Sequence, residues 1–301
     1  MVYTLTCNPA IDYVVQLNTP LTGGAINRSH TEAYQFGGKG INVSNVLQTL
    51  GQPTVALGFV AGFTGRALEE NLHQMGLVTD FIHLPQGQTR INVKVKADLE
   101  TEINGAGPEI DALAWKSLED RLDELQPGDT LVLSGSVPAC LGNGIYGQIL
   151  QRIQGKAVRT VVDASGSLLT QALPYKPFLV KPNREELEAI VGHLLTDVDQ
   201  IAEAAQQLQA MGAQNVLVSM AGDGAILLDA QGNFHRMACP KGTVRNSVGA
   251  GDSMVAGFLA GFLESGNYEY ALKLGIAAGS ATAFSLELAT KEEIDGLLET
   301  L

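Results

Sequence analysis

An α/β fold on a mostly parallel sheet is what this chain predicts, and three observations predict it. Short apolar runs of strand length alternate with helical patterns along most of the sequence, the order expected of βαβ units. Its 301 residues are 45% hydrophobic and include 34 glycines, which suits a compact globular enzyme with many tight turns and argues against disorder. Two segments, about residues 13–36 and 89–104, depart from the alternation and read as strands without helices.

In chain order, strands are expected near residues 2–6, 54–60, 129–135, 157–163, 178–181 and 215–219. Helices are expected near 40–50, 65–75, 109–125, 144–154, 184–191 and 199–211. Three more close the chain, near 250–265, 268–286 and 291–299. Within the second irregular segment, Arg90-Ile91-Asn92-Val93-Lys94-Val95-Lys96 alternates apolar and polar residues with period two, as in a half-exposed antiparallel strand. Two such insertions can pair into a small sheet over an active site, a lid, or simply extend the edge of the main sheet. With no Pro/Ser linker and no internal repeat, residues 1–301 read as one domain carrying that lid.

Charge and cysteine usage narrow the function. A net charge of −13 argues against broad nucleic-acid or membrane-surface binding, so an anionic ligand would need cations gathered locally. No apolar run reaches membrane-spanning length and the first residues carry no basic leader, so a cytoplasmic protein is expected. Cys7, Cys140 and Cys239 are widely spaced and the five histidines form no ligand-spaced pair, so free thiols and no zinc site are expected.

The most informative residues are Ser247-Val248-Gly249-Ala250-Gly251-Asp252, a glycine-rich turn feeding a long apolar helix. Such a helix start presents unpaired N–H groups and a positive dipole end, an anion site. Asp252 in its first turn would repel a bound phosphate. Either it caps the helix, or it takes a proton from a hydroxyl attacking that phosphate. Gly37-Gly38-Lys39-Gly40-Ile41-Asn42 opens another helix and reads as a second close approach to ligand or as a glycine hinge. Asp12 just past the first strand suits sugar hydroxyls or a turn. Asn183 and Glu186 share a helix face, able to order magnesium-bound waters or to form a capping box. Residues 219–224, Ser219-Met220-Ala221-Gly222-Asp223-Gly224, can wrap a nucleotide or turn a hairpin.

Taken in order, N-P-A-I-D, G-G-K-G-I-N, K-P-N-R-E-E, S-M-A-G-D-G and N-S-V-G-A-G-D closely resemble the ribokinase-like (PfkB) carbohydrate kinase family over nearly the whole chain. Within it the likeness is greatest to the kinases of fructose 1-phosphate, with those of tagatose 6-phosphate next. Ile26-Asn27-Arg28, Lys39, residues 89–94, residues 100–105 and residues 133–138 carry it. The resemblance implies a three-layer sandwich with a mostly parallel central sheet and a small β-sheet lid. It implies transfer of the ATP γ-phosphoryl group, with Mg²⁺, to the 6-hydroxyl of fructose 1-phosphate. Tagatose-6-phosphate kinase and 6-phosphofructokinase activities are the alternatives within the family, and a non-catalytic sugar-phosphate-binding regulator is the alternative outside it.

Roles follow residue by residue from the same resemblance. Asp252 would be the general base, with Gly249, Ala250 and Gly251 completing the anion hole. Asp12, Gly38 and Asn42 would hold sugar hydroxyls, while Arg28, Lys39 and Arg90 converge on the sugar's phosphate and Ser136 lies nearby. Lys181, Asn183, Ser219, Ala221, Gly222, Asp223, Gly224, Val248 and Gly279 would border the nucleotide, with Glu186 and Asn183 reaching Mg²⁺ through water. Ala221 stands where related chains carry a second glycine, and Ala139-Cys140-Leu141 lacks the basic or glycine residue often found there. The partners expected are small molecules, with a homodimer formed through exposed lid edges.

Overall fold

The structure, a computed structural model, describes residues 1–301. The chain begins β1 (Val2–Thr6), β2 (Ala10–Gln16), β3 (Thr31–Gly37), α1 (Lys39–Thr49), β4 (Thr54–Ala61), α2 (Gly62–Gln74), β5 (Thr79–Leu84), β6 (Arg90–Lys96) and β7 (Thr101–Ile103). It continues α3 (Ala112–Asp123), β8 (Thr130–Ser134), α4 (Ile145–Arg152), β9 (Arg159–Asp163), α5 (Gly166–Thr170), β10 (Leu179–Val180), α6 (Arg184–Val191) and α7 (Val198–Ala210). It ends β11 (Asn215–Ser219), β12 (Ala225–Leu228), β13 (Phe234–Met237), α8 (Ala250–Ser265), α9 (Tyr268–Phe284) and α10 (Lys291–Leu298).

The main sheet runs β13-β12-β11-β10-β9-β8-β1-β4-β5. From β11 to β5 every neighbour is parallel, and β12 and β13 add an antiparallel edge. Parallel strands need both faces covered, and the apolar side chains alternate accordingly. Leu131, Leu133, Val162 and Val180 face a core shared with α3, α4, α5, α6 and α7. Val132, Val161, Leu179 and Leu217 face a second core shared with α1, α8, α9 and α10. A smaller cluster seats α2 on β4 and β5 through Leu68, Leu72, Val60 and Phe81. The result is three layers, helix–sheet–helix. No helix is long and apolar enough to cross a membrane.

Three strands and one short helix were absent from the expected elements. β5 is interrupted by Asp80 and His83, while β12 and β13 have four residues each, too short for a periodicity to register. The five-residue α5 is hidden for the same reason. The α3 helix begins later than expected because Asp111 caps it, its side chain accepting from Ala114 N–H at 2.8 Å.

The irregular segments form their own sheet, β3-β2-β6-β7. β2 and β6 run parallel, and the two outer pairs are antiparallel. The sheet starts at Ala10, earlier than residue 13, and residues 18–30 are an exposed loop rather than strand. β2 follows β1 after three residues, so the small sheet leaves the carboxyl edge of the large one. At that edge Ser134 pairs with Asp163, and Asn183 bridges to Ser219. Carboxyl ends of parallel strands are where such folds place ligands.

The α8 and α9 helices carry that edge and pack through small residues. A Cβ at Gly257 would lie 2.5 Å from the Leu274 carbonyl oxygen and 2.9 Å from Ala278 Cβ, so the two backbones touch there. Gly257→Leu is expected to cost about 3 kcal/mol or more, read as a fall in the urea midpoint, because the clash is with backbone that cannot swing aside.

Candidate active site

A cleft of about 1330 Å³ opens at the carboxyl edge, between the main sheet and the small one. Of the residues expected at the site, all but Arg28 and Gly224 line it. Arg28 sits in the exposed loop between β2 and β3, so within one chain the expected cation cluster reduces to Lys39 and Arg90. Gly224 immediately precedes β12, where any Cβ would overlap the Met237 carbonyl oxygen.

The centre of the cleft is the start of α8. Gly249 takes φ +81° as its N-cap, a left-handed conformation that a side chain would resist. Ala250 N–H is used by the Ser247 carbonyl at 3.3 Å, and the following N–H groups begin the helix without an intrahelical acceptor. Lys181, at the end of β10, reaches this spot: a Cβ on Gly251 would lie 3.1 Å from its Nζ. A backbone anion site thus has an ammonium group beside it.

Asp252 in the same turn is 5% exposed, and its Oδ2 accepts from Asn42 Nδ2 at 2.8 Å. Burial raises its pKa, and the neighbouring Asp163 carboxylate raises it further. Lys39, the Asn42 hydrogen bond and Lys181 oppose them, leaving it pushed up to about 6. Asp163 ends β9 and is 1% exposed. Its Oδ1 lies 3.2 Å from Lys181 Nζ and its Oδ2 3.7 Å from Lys39 Nζ. Burial would raise its pKa as well, but the two ammonium groups outweigh it and hold it below the ordinary carboxylate range. One site therefore holds two buried carboxylates with environments that drive their proton affinities apart.

Two ends extend from this centre. Towards the small sheet stand Asp12, whose Oδ1 accepts from Asn92 Nδ2 at 2.7 Å, and Arg90, whose Nε donates to the Asn8 carbonyl at 3.1 Å. Towards α9 the wall is Met254, Gly279, Phe284 and the 239–242 segment, where Cys239 Sγ and Ser280 Oγ are 3.0 Å apart. Ala221 to Asp223 border this end, with Ala221 at φ +48°, the reason a glycine is at home there. Asn183 and Glu186 form a complete capping box at the start of α6 while also lining the cleft. The box engages Glu186 through Oε2 only. Cys7 is buried and its thiol is pushed up to about 12 by that burial, an inert core residue.

Comparison with known proteins accounts for this layout. The pfkB family carbohydrate kinase profile matches residues 1–294. The chain belongs to that family. It is thus a carbohydrate kinase, and its relatives span its full length. A 1-phosphofructokinase of Bacillus subtilis is 45% identical over 99% of this chain and 97% of its own. A D-tagatose-1-phosphate kinase of Bacillus licheniformis is 36% identical over 98% and 96%. Phosphofructokinase-2 of Escherichia coli, solved in complex with substrates and products, superposes with a TM-score of 0.93 at 29% identity, covering 100% of this chain and 99% of that one.

Among the polar residues missing from the expected site are Asn92 and Lys94, which line the kinase's cleft, and Asp163, which pairs with the cleft lysines Lys39 and Lys181. A signal existed for Asp163, which closes a parallel strand at the edge where ligands bind. Asn92 and Lys94 were visible only as the polar half of an alternating strand, and nothing in that alternation says which face meets the cleft. The carboxyl ¹³C resonance of Asp252 should titrate with a midpoint near 6 in the ligand-free kinase. Asp163→Asn should move that midpoint down, since the repelling charge goes while both lysines stay.

Proposed function

We propose that the chain transfers the γ-phosphoryl group of ATP to the 6-hydroxyl of fructose 1-phosphate, giving ADP and fructose 1,6-bisphosphate. The observation that carries this reading is the joint placement of Asp252, Lys181 and the α8 helix start. A buried carboxylate with raised proton affinity adjoins a backbone anion site that has its own cation. That is what a hydroxyl attacking a phosphoryl group requires. Asp252 takes the hydroxyl proton as the oxygen attacks, while the N–H groups of Gly251 and Asp252 and the Lys181 ammonium stabilise charge on the transferring group. Asn42 keeps the Asp252 carboxylate aimed by its hydrogen bond.

Asp12, Gly38 and Asn42 hold the sugar, and Lys39 and Arg90 meet its own phosphate, with Ser136 close by. The nucleotide lies along Ala221–Asp223 and Gly279, its base against Met254 and Phe284. Lysine and helix N–H groups suit its phosphates. No cluster of three metal-ligating side chains exists, so the residues present fit Mg²⁺ as an ion carried on the nucleotide phosphates and met through water by Glu186 and Asn183. There it would neutralise phosphate charge. The small sheet acts as a lid that excludes water from the reacting groups. A tagatose 1-phosphate kinase among the relatives favours one second reading, the 4-epimer of the same 1-phosphate sugar class. Both readings belong to a single domain working in the cytoplasm.

The lid also carries an apolar outer face. Tyr13 stacks on Tyr34 at 4.9 Å between ring centroids, beside Ile91 and Ile103; Tyr34 is 61% exposed and Ile103 63%. Homodimerisation through these faces covers them, and Ile103→Glu should shift the sedimentation coefficient towards that of a monomer. The function itself is tested by ADP release with Mg-ATP against fructose 1-phosphate, tagatose 1-phosphate, tagatose 6-phosphate and fructose 6-phosphate. A dominant kcat/KM for fructose 1-phosphate is expected, and preference for a 6-phosphate would overturn the substrate. Asp252→Asn should lower kcat roughly 100- to 10,000-fold while substrate binding is largely kept. Near wild-type turnover would remove Asp252 as the base.

A further inference from the structure

The lid strands pair so that one face of the small sheet is polar. In the β2–β6 register Asp12 is opposite Asn92 and Val14 opposite Lys94, and in the β6–β7 register Lys94 is opposite Glu102. Side chains two apart share a face, so Asp12, Asn92, Lys94 and Glu102 all project from the same side. All four line the cleft.

Lys94 is the least ordinary of them. Its side chain is 9% exposed, and its Nζ lies 3.0 Å from Asp12 Oδ2 and 3.7 Å from Glu102 Oε1. Burying an ammonium group is costly unless it is paired, and a residue placed merely to stabilise a lid could be apolar instead. The pairing is specific in its outcome. Asp12 has Asn92 on Oδ1 and Lys94 on Oδ2, one donor per oxygen, both from β6. This fixes the plane of the carboxylate and leaves each oxygen with a lone pair for a further donor. A carboxylate held that way can accept from two neighbouring hydroxyls of a sugar at once. Asn92 is itself held, because its Oδ1 accepts from Gly105 N–H at 3.1 Å.

We propose that Lys94 is a positioning residue that sets affinity for the sugar substrate through Asp12. It does not touch the transferring phosphoryl group, and it acts by holding Asp12 in the one orientation that receives the sugar hydroxyls. The inference rests on the sugar-phosphate kinase reading above and extends it to a residue on the lid.

A double-variant cycle tests this, with steady-state kinetics on the wild type's best sugar phosphate. Lys94→Met should raise KM for the sugar phosphate roughly tenfold or more, the loss expected when a charge-assisted contact is removed. The KM for ATP and kcat should stay within about twofold, since neither nucleotide nor base contacts Lys94. Lys94→Gln, which keeps a polar tip and so guards against a folding defect of the Met variant, should show the same split. Lys94→Arg, which retains a cation, should recover part of the affinity. In Asp12→Asn, adding Lys94→Met should raise KM little further, because the partner through which Lys94 acts is already altered. Full additivity in the double variant, or an equal rise in KM for ATP, would overturn the proposal. Wild-type turnover with unchanged Lys94 variants overturns this inference alone. A wild-type chain that turns over no sugar phosphate overturns the functional reading as well.

Discussion

Charge compensation at the carboxyl edge is the constraint around which the rest is arranged. Asp163 and Asp252 are both almost fully buried, and Lys39 and Lys181 stand among them. A carboxylate taken out of water without a partner is strongly penalised, so four elements far apart in sequence must arrive together. β9 brings Asp163, β10 brings Lys181, the start of α1 brings Lys39, and the start of α8 brings Asp252. The strand order β10-β9-β8-β1 sets Lys181 beside Asp163, and α1 packs against α8 to close the group. The compensation is deliberately uneven. Asp163 is matched by two cations and stays ionised, whereas Asp252 feels Asp163 as well and is left with a proton affinity suited to exchange near neutral pH.

That centre explains the two-sheet architecture. The large sheet supplies rigid strand ends buried on both faces, which hold charged side chains to fixed positions. The small sheet meets a helix only near its base, where Ile11 and Phe36 pack with α2, and divides its labour between faces. One face is polar and meets the cleft through Asp12, Asn92, Lys94 and Glu102. The other is apolar around Tyr13, Tyr34 and Ile103. Period-two side-chain alternation makes a single strand serve both tasks.

The parts of this kinase that were legible in its sequence are those whose physics is local. Glycines before an apolar helix dictate a tight turn into a helix start whatever surrounds them, so the Gly249 to Asp252 turn could be read directly. The Asn183–Glu186 box is equally local, and the structure shows it formed in full while both residues also line the cleft. Alternation of strand and helix patterns made the α/β class and the small extra sheet readable. Arg28 lies in an exposed loop of its own chain, away from its cleft, because a sequence of strand-like character does not reveal where pairing stops. The short β12 and β13 went unread because four residues hold no measurable period.

By itself, then, the sequence determined the fold class, the glycine-rich helix start with its carboxylate and the family to which the chain belongs, since each depends on residues adjacent along the chain or on the order of motifs. Tertiary structure alone decided which charges face one another. Lys94 reaches Asp12 across β6 and β2, and Lys181 and Lys39 reach the two oxygens of Asp163 from β10 and the start of α1. Electrostatic interaction depends on distance and burial in space, and neither is written in the spacing of residues along a chain.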